Sequence, residues 1–219
     1  MRIAITILCL LLFPLMTVVA SDIPQPIIDA LLKEFPRYVQ NSKSIAIGDL
    51  NHDGIPEVVT FLGDPQDNVL KIGVLTRADG DGYKVLVTSP EFSADPRGFY
   101  FLKIEKQSLY LLTSCCSWSS DYQFKMHNGD IVLIGKKWRN IVPVESKEPD
   151  TGESINYLTG EAIVWSKVGK RYTEKRAKFR ARTPSKLKDF DLDSHLFTAG
   201  PNMAFERDAP KAARPSTLR

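Results

Sequence analysis

The sequence is poor in cysteine and histidine and, after residue 20, has no long apolar run. Only three of its 219 residues are cysteine and only three are histidine. Three cysteines are too few for the disulfide framework of a small secreted scaffold, and the histidines show no HExxH or paired spacing that would favour zinc. After residue 20 no apolar run is long enough to cross a membrane. These shortages give no support to a disulfide scaffold, a zinc enzyme or a multi-span membrane protein.

The first twenty residues have the composition of a signal peptide. Arg2 is followed by the nearly unbroken apolar run Ile3–Val19, and Val18 and Ala20 are small enough for a signal peptidase. We therefore predict cleavage between Ala20 and Ser21 and export to the periplasm or the medium. An uncleaved anchor is the alternative, although Pro14 interrupts the run and the run is barely long enough to span a bilayer. The mature chain then has no transmembrane segment.

The remaining chain reads as one helix followed by many strands. Residues 24–35 carry apolar side chains at helical spacing, and Pro36 ends the pattern. Beyond it, period-two segments alternate with turn signals every 8 to 12 residues, as in antiparallel sheets. We predict strands near 43–48, 56–62, 69–76, 83–89, 97–104, 107–114, 120–127, 130–136, 154–158, 161–167 and 171–181.

This pattern predicts a mainly β protein, either an antiparallel curled sheet or sandwich or a set of incomplete propeller-like blades, with one N-terminal helix. Residues 21–200 form one β-rich domain in this prediction. A polar loop is expected at 141–153. Residues 201–219 are rich in proline and poor in large apolar side chains, which predicts a disordered tail.

The strongest chemical motif is an acidic loop, IGDLNHDGIPEVVT, at residues 47–60. Asp49, Asn51 and Asp53 alternate along the loop, Gly54 permits a sharp reversal, and Glu57 stands at the ninth position counted from Asp49. Calcium takes six to eight oxygen ligands. We predict a calcium site with side-chain oxygens from Asp49, Asn51, Asp53 and Glu57 and the main-chain carbonyl of Ile55. The alternative is an Asx-rich turn that binds nothing.

The flanks of this loop separate it from an EF-hand. An EF-hand loop has a bidentate glutamate at position twelve and a helix on each side, whereas Thr60 holds that position here and both flanks are strand-like. The segment GDLNHDGIPEVV resembles the FG-GAP and VCBS repeats of integrin α-chains and exported bacterial proteins. The resemblance implies a calcium loop between the first two strands of a four-stranded unit at 43–89. Only one such motif is present, and a closed propeller needs four to eight blades.

Two further segments carry candidate functions. Cys115 and Cys116 are adjacent within SCCSWSSD, and they could be reduced, joined in a strained vicinal disulfide, or engaged in an intermolecular or catalytic role. The serines of residues 114–121 allow a Ser-His-Asp hydrolase, but no GxSxG motif accompanies them. Sequence alone therefore leaves the state of the cysteines open.

The second of these segments is basic. Residues 166–188 hold ten Lys or Arg against the single acid Glu174. The pattern indicates an edge strand with one solvated basic face, or a surface for an anionic partner. No nucleic-acid-binding motif accompanies it.

Taken together, these features favour an exported, calcium-binding β-protein that is not an enzyme. Its partner would be a protein, a glycan or an anionic surface. A hydrolase that uses the Ser/Cys-rich segment 114–121 is the alternative. The two differ in whether a histidine and an acid converge on that segment.

Overall fold

The fold is mainly β, as predicted. The computed structural model describes residues 25–36, 44–64, 69–78, 80, 82–95, 97–140, 142, 148–178 and 184–193. Within them 62% of the residues are in strands, all of them in antiparallel sheets, and one α-helix is present. The predicted signal peptide at 1–20 and the predicted tail at 201–219 lie outside the described residues.

Helix α1 spans Gln25–Glu34, close to the predicted 24–35. Ile27, Ala30 and Leu31 are its buried residues, and they pack on one face of the first sheet. Leu32, which belongs to the apolar stripe in sequence, is 45% exposed. The helix therefore buries a narrower stripe than its periodicity predicts.

The first sheet has five strands; four are paired in chain order, and a short fifth strand pairs with Val69 and Leu70 at the start of the third. Its two central strands are buried on both sides, because α1 covers one face and the second sheet covers the other. The strands are β1 (Ile45–Gly48), β2 (Glu57–Asp64), β3 (Val69–Arg77), β4 (Tyr83–Thr88) and β5 (Phe92–Ser93).

The second sheet is a seven-stranded meander in which each strand pairs with the next along the chain. Its strands are β6 (Phe99–Glu105), β7 (Ser108–Cys115), β8 (Trp118–His127), β9 (Asp130–Asn140), β10 (Asp150–Asn156), β11 (Glu161–Val168) and β12 (Arg171–Lys178). The β8–β9 turn has Asn128 and Gly129 at positive φ of 51° and 81°, as a tight hairpin turn requires.

The two sheets pack face to face over one hydrophobic core. Phe61 and Phe92 of the first sheet join Tyr122 and Phe124 of the second in one buried cluster. Phe190, from the segment that follows β12, also enters this cluster, with its ring centroid 5.0 Å from that of Phe124. The arrangement is therefore a sandwich rather than a set of propeller-like blades.

Three local predictions need correction. Strand β5 was not predicted, because two residues carry no periodicity. Strand β10 begins at Asp150, so residues 150–153 belong to the sheet and not to the predicted 141–153 loop. The basic strand β12 lies at the sheet edge, but its residues are exposed on both faces except for the partly buried Ala177.

A buried charged pair lies at the inward-facing side of β9 and β10. Lys136 is 4% exposed and Glu153 is 2% exposed, and Glu153 Oε2 accepts no hydrogen bond within the described part of the chain. Burial raises the pKa of Glu153, and the charge of Lys136 opposes that shift. Burial also lowers the pKa of Lys136. For both residues, burial thus shifts the pKa more than the charge of the other residue does.

This pair predicts a pH dependence of stability. The unfolded chain releases the Glu153 proton near pH 4.5, whereas the folded protein releases it at higher pH. The contribution of Glu153 to the free energy of unfolding therefore falls as pH rises above 4.5 and levels off above the folded pKa. Glu153→Gln should gain stability relative to wild type over the pH range that begins near 4.5 and extends upward to the folded pKa. Thermal melts across this range measure the difference, with the exposed Glu161→Gln as control. Parallel profiles for Glu153→Gln and wild type would contradict the prediction.

Candidate metal centre

The acidic loop connects β1 to β2, where the sequence placed it. Asp49 comes directly after the last residue of β1, and Glu57 is the first residue of β2. Gly54 has a φ of +83°, in the left-handed region that glycine adopts without strain. Asn51, Asp53 and Ile55 are exposed, whereas Glu57 is fully buried. The five predicted ligands thus lie on one short loop with one buried end.

Asp49 and Asp53 shape the loop through main-chain hydrogen bonds. The two carboxylate oxygens of Asp49 accept the N–H groups of His52 (2.7 Å) and Gly54 (3.0 Å). Asp53 Oδ1 accepts the N–H of Ile55 at 2.7 Å. Such contacts curl the backbone around the carboxylates. Each carboxylate keeps further lone pairs, because an ionised carboxylate has about four acceptor positions.

Glu57 is the buried anchor of the site. Its Oε2 accepts the Leu50 N–H at 2.8 Å, and its Oε1 accepts the Asn51 amide at 3.0 Å and the Thr76 hydroxyl at 3.4 Å. All three of these donors are neutral. No ion pair joins Asp49, Asp53 or Glu57 to a lysine or arginine of the described ranges. The loop therefore carries three carboxylates that no cationic side chain of the described residues balances.

Two carboxylate oxygens converge on one point of the loop. Asn51 Nδ2 donates to Asp53 Oδ2 at 2.8 Å and to Glu57 Oε1 at 3.0 Å. A weakly positive amide nitrogen thus stands where acidic oxygens from two residues meet. Hard oxygen donors of this kind fit calcium.

The loop also touches the second sheet. Gln107, in the turn between β6 and β7, forms a hydrogen bond with His52 through their side chains. Beside the loop, β1 lies so close to β6 that a Cβ on Gly48 would come within 2.6 Å of the Ile104 side chain. The acidic loop is therefore part of the junction between the two sheets.

Two residues that form hydrogen bonds with the loop, Thr76 and Gln107, were not predicted from the sequence. Thr76 lies one step beyond the Val58–Leu75 pair of the β2–β3 register, so only the strand pairing brings it to Glu57. Gln107 is 55 residues from His52. No local sequence signal marks either residue. In the described part of the chain, no three His, Cys, Asp or Glu side chains are arranged to hold a metal, so the structure does not bring the carboxylates of Asp49, Asp53 and Glu57 together as one such group.

The Ser/Cys-rich segment lies elsewhere, at the turn between β7 and β8. His127 is at the opposite end of β8 from Trp118, a separation of about 30 Å at the usual strand rise. His52 contacts Gln107, which precedes the opposite end of β7 from Ser114. Neither described histidine therefore reaches residues 114–121. His195 lies outside the described residues.

Comparisons of the chain with protein-family models, with characterised proteins and with solved structures give no match. Among the described residues, no helix has the length and apolar character needed to cross a lipid bilayer.

Proposed function

We propose that the β1–β2 loop binds one calcium ion and that the protein is an exported, non-enzymatic binding module stabilised by that ion. Asp49, Asn51, Asp53 and Glu57 would supply side-chain oxygens, and Ile55 its carbonyl. The calcium loop is of the kind found in FG-GAP and VCBS repeats. Export rests on the signal-peptide pattern of residues 1–20.

The observation that carries the calcium proposal is the environment of Glu57. A fully buried carboxylate usually pairs with a cation or coordinates a metal. The buried carboxylate of Glu57 instead accepts hydrogen bonds from three neutral donors. Asp53 Oδ2 lies near Glu57 Oε1, because the two oxygens share the Asn51 donor. A divalent cation would offset most of the formal charge of the three carboxylates.

A structural role for the ion follows from the place of the loop. Glu57 links β2 to the loop backbone at Leu50 and to β3 at Thr76. His52, on the other side of the loop, contacts the β6–β7 turn. Calcium that rigidifies this loop would therefore stabilise the first sheet and its junction with the second.

The binding role is supported by the outer face of the seven-stranded sheet. This face has a groove of about 400 Å³. Its lining mixes charged, amide and aromatic side chains, among them Lys103, Tyr110, Asp121, Gln123, Lys137 and Asn156. Nearby, Phe99 and Phe101 are 61% and 43% exposed and stack on each other. Polar groups beside exposed aromatic rings are typical of interaction surfaces for proteins or glycans, and the basic β11–β12 hairpin would suit an anionic partner.

Calcium titration tests the metal proposal. Extracellular calcium modules bind with a Kd of about 10⁻⁴–10⁻³ M, so about 1 mM calcium should stabilise the fold by about 0.4–1.4 kcal/mol. For a domain of this size we expect the melting midpoint to rise by a few degrees and to fall again with a chelator. Magnesium should restore little, because it prefers a smaller octahedral site.

Isosteric variants separate ligand loss from loop damage. Asp53→Asn keeps an oxygen that can accept the Ile55 N–H and loses only the exposed contact with the Asn51 amide, so it should melt slightly below wild type without calcium and lose the calcium response. His52→Ala should keep the response, since His52 is assigned no ligand role. A wild-type midpoint indifferent to several millimolar calcium, together with no heat of binding in calorimetry, would identify the loop as an ordinary turn.

A further inference from the structure

The two adjacent cysteines meet at the β7–β8 turn. Cys115 is the last residue of β7 and is 7% exposed, whereas Cys116 is the exposed first residue of the turn. In a regular strand their side chains would point to opposite faces. Cys116 instead has a φ of +48°, in the left-handed region. This turn conformation brings Cys116 Sγ to 3.2 Å from Cys115 Sγ.

The surroundings of the pair hold Cys115 in place. Its thiol donates a weak hydrogen bond to Asp95 Oδ2 at 3.7 Å. Asp95 is itself oriented by Arg97, whose guanidinium lies 3.2 Å away and whose main-chain N–H donates to Asp95 Oδ1 at 2.9 Å. The hydrogen bond with Cys116, followed by burial, raises the pKa of Cys115 to about 11. The inner thiol is therefore protonated at neutral pH, and the outer thiol faces solvent.

We propose that Cys115 and Cys116 form a dithiol–disulfide pair that reacts with low-molecular-weight disulfides. The proposal is independent of the calcium site. In the first step the Cys116 thiolate attacks one sulfur of a disulfide R–S–S–R, forming a mixed disulfide and releasing R–S⁻. In the second step Cys115 releases its proton to solvent, its thiolate attacks Cys116 Sγ, and the second R–S⁻ leaves and takes up a proton. Two protein thiols are oxidised and one external disulfide is reduced to two R–SH.

Geometry favours the second step and makes its product labile. The sulfurs must approach by about 1.1 Å to reach the S–S bond length of about 2.05 Å. The Cα atoms of neighbouring residues are about 3.8 Å apart, below the usual disulfide range of about 4.4–6.8 Å, so the ring is strained. Strained disulfides are readily reduced. The pair should thus exchange reversibly between dithiol and disulfide.

The test uses the full chain and glutathione. The protein is incubated with oxidised glutathione, quenched with acid, unfolded in denaturant, alkylated with N-ethylmaleimide near neutral pH and digested with trypsin. The peptide Gln107–Lys125 contains Cys115 and Cys116 and no other cysteine. We expect it to change from two maleimide labels to none, with the loss of two hydrogens. The glutathione adduct should stay below about a tenth of the bridged form, because attack by a neighbouring thiol outruns a second intermolecular attack.

Single variants supply the matched controls. Cys115→Ser should accumulate glutathione on Cys116, since no neighbour can displace it. Cys116→Ser should keep its maleimide label on the buried Cys115. Excess reduced glutathione should return the bridged wild type to two labels. The proposal is overturned if wild type keeps both labels in excess oxidant, accumulates the adduct as Cys115→Ser does, forms only intermolecular dimers, or yields a bridge that resists reduced glutathione.

Discussion

Phe190→Ala should lower the free energy of unfolding by about 3–5 kcal/mol, the cost of emptying a buried aromatic site. Phe190 is 1% exposed, and its ring packs edge-on against Tyr122 and Phe124 at centroid distances of 5.3 Å and 5.0 Å. The residue belongs to the segment after β12, so the packing of its side chain also holds that segment against the core between the sheets. The loss should therefore affect the whole domain.

Urea unfolding measures this effect, with the denaturant slope compared between variants. Phe99→Ala is the matched control, because Phe99 is also a phenylalanine but is 61% exposed on the outer face of the second sheet. Its free energy of unfolding should stay within about 0.5 kcal/mol of wild type. Equal losses in the two variants would show that Phe190 does not enter the core.

Glu57→Ala should lower the free energy of unfolding by about 2–4 kcal/mol even without calcium. The substitution leaves the buried Leu50 N–H without its acceptor and removes the partner of the Asn51 amide and the Thr76 hydroxyl. An unsatisfied buried donor costs about 1–3 kcal/mol. Chemical unfolding in the presence of a chelator measures this structural contribution separately from any effect of metal.

Glu57→Gln is the companion variant. Its side-chain oxygen can still accept the Leu50 N–H, whereas its amide nitrogen cannot accept from the Asn51 amide, so we expect a smaller loss of stability than in Glu57→Ala. Its missing charge should nevertheless remove the calcium-dependent rise in melting midpoint. A Glu57→Gln protein that still responds to calcium as wild type does would exclude Glu57 as a ligand. A Glu57→Ala protein as stable as wild type would show that the buried contacts contribute little.

Much of the fold could be predicted because its signals are local. Helix α1 follows from apolar spacing and Pro36, and most strands follow from period-two patterns between turn residues such as Asn128 and Gly129. Strand β5 and the start of β10 were missed for one reason: neither segment has enough alternation to stand out. Pairing with β3 creates β5, and pairing with β11 creates the start of β10.

The candidate metal site likewise has a part that the sequence predicts and a part that only the structure shows. Asp49, Asn51, Asp53 and Glu57 are close in sequence, so their spacing alone predicts a common loop. The contacts of Thr76 with Glu57 and of Gln107 with His52 depend on strand register and on the packing of the sheets. Long-range contacts of this kind leave no local pattern.

The sequence by itself determined that the chain forms antiparallel strands with one helix, and that an acidic loop separates the first two strands, because periodicity and turn chemistry act within a few residues. Only the tertiary structure decided that two sheets close over one core and that β12 is exposed on both faces. It also decided that Cys116 folds back onto Cys115. The physical reason is that burial depends on which distant strands pack together, whereas the φ of +48° at Cys116 belongs to the two-residue turn that the Cys115–Trp118 pairing closes, and adjacent cysteines give no local signal of that turn.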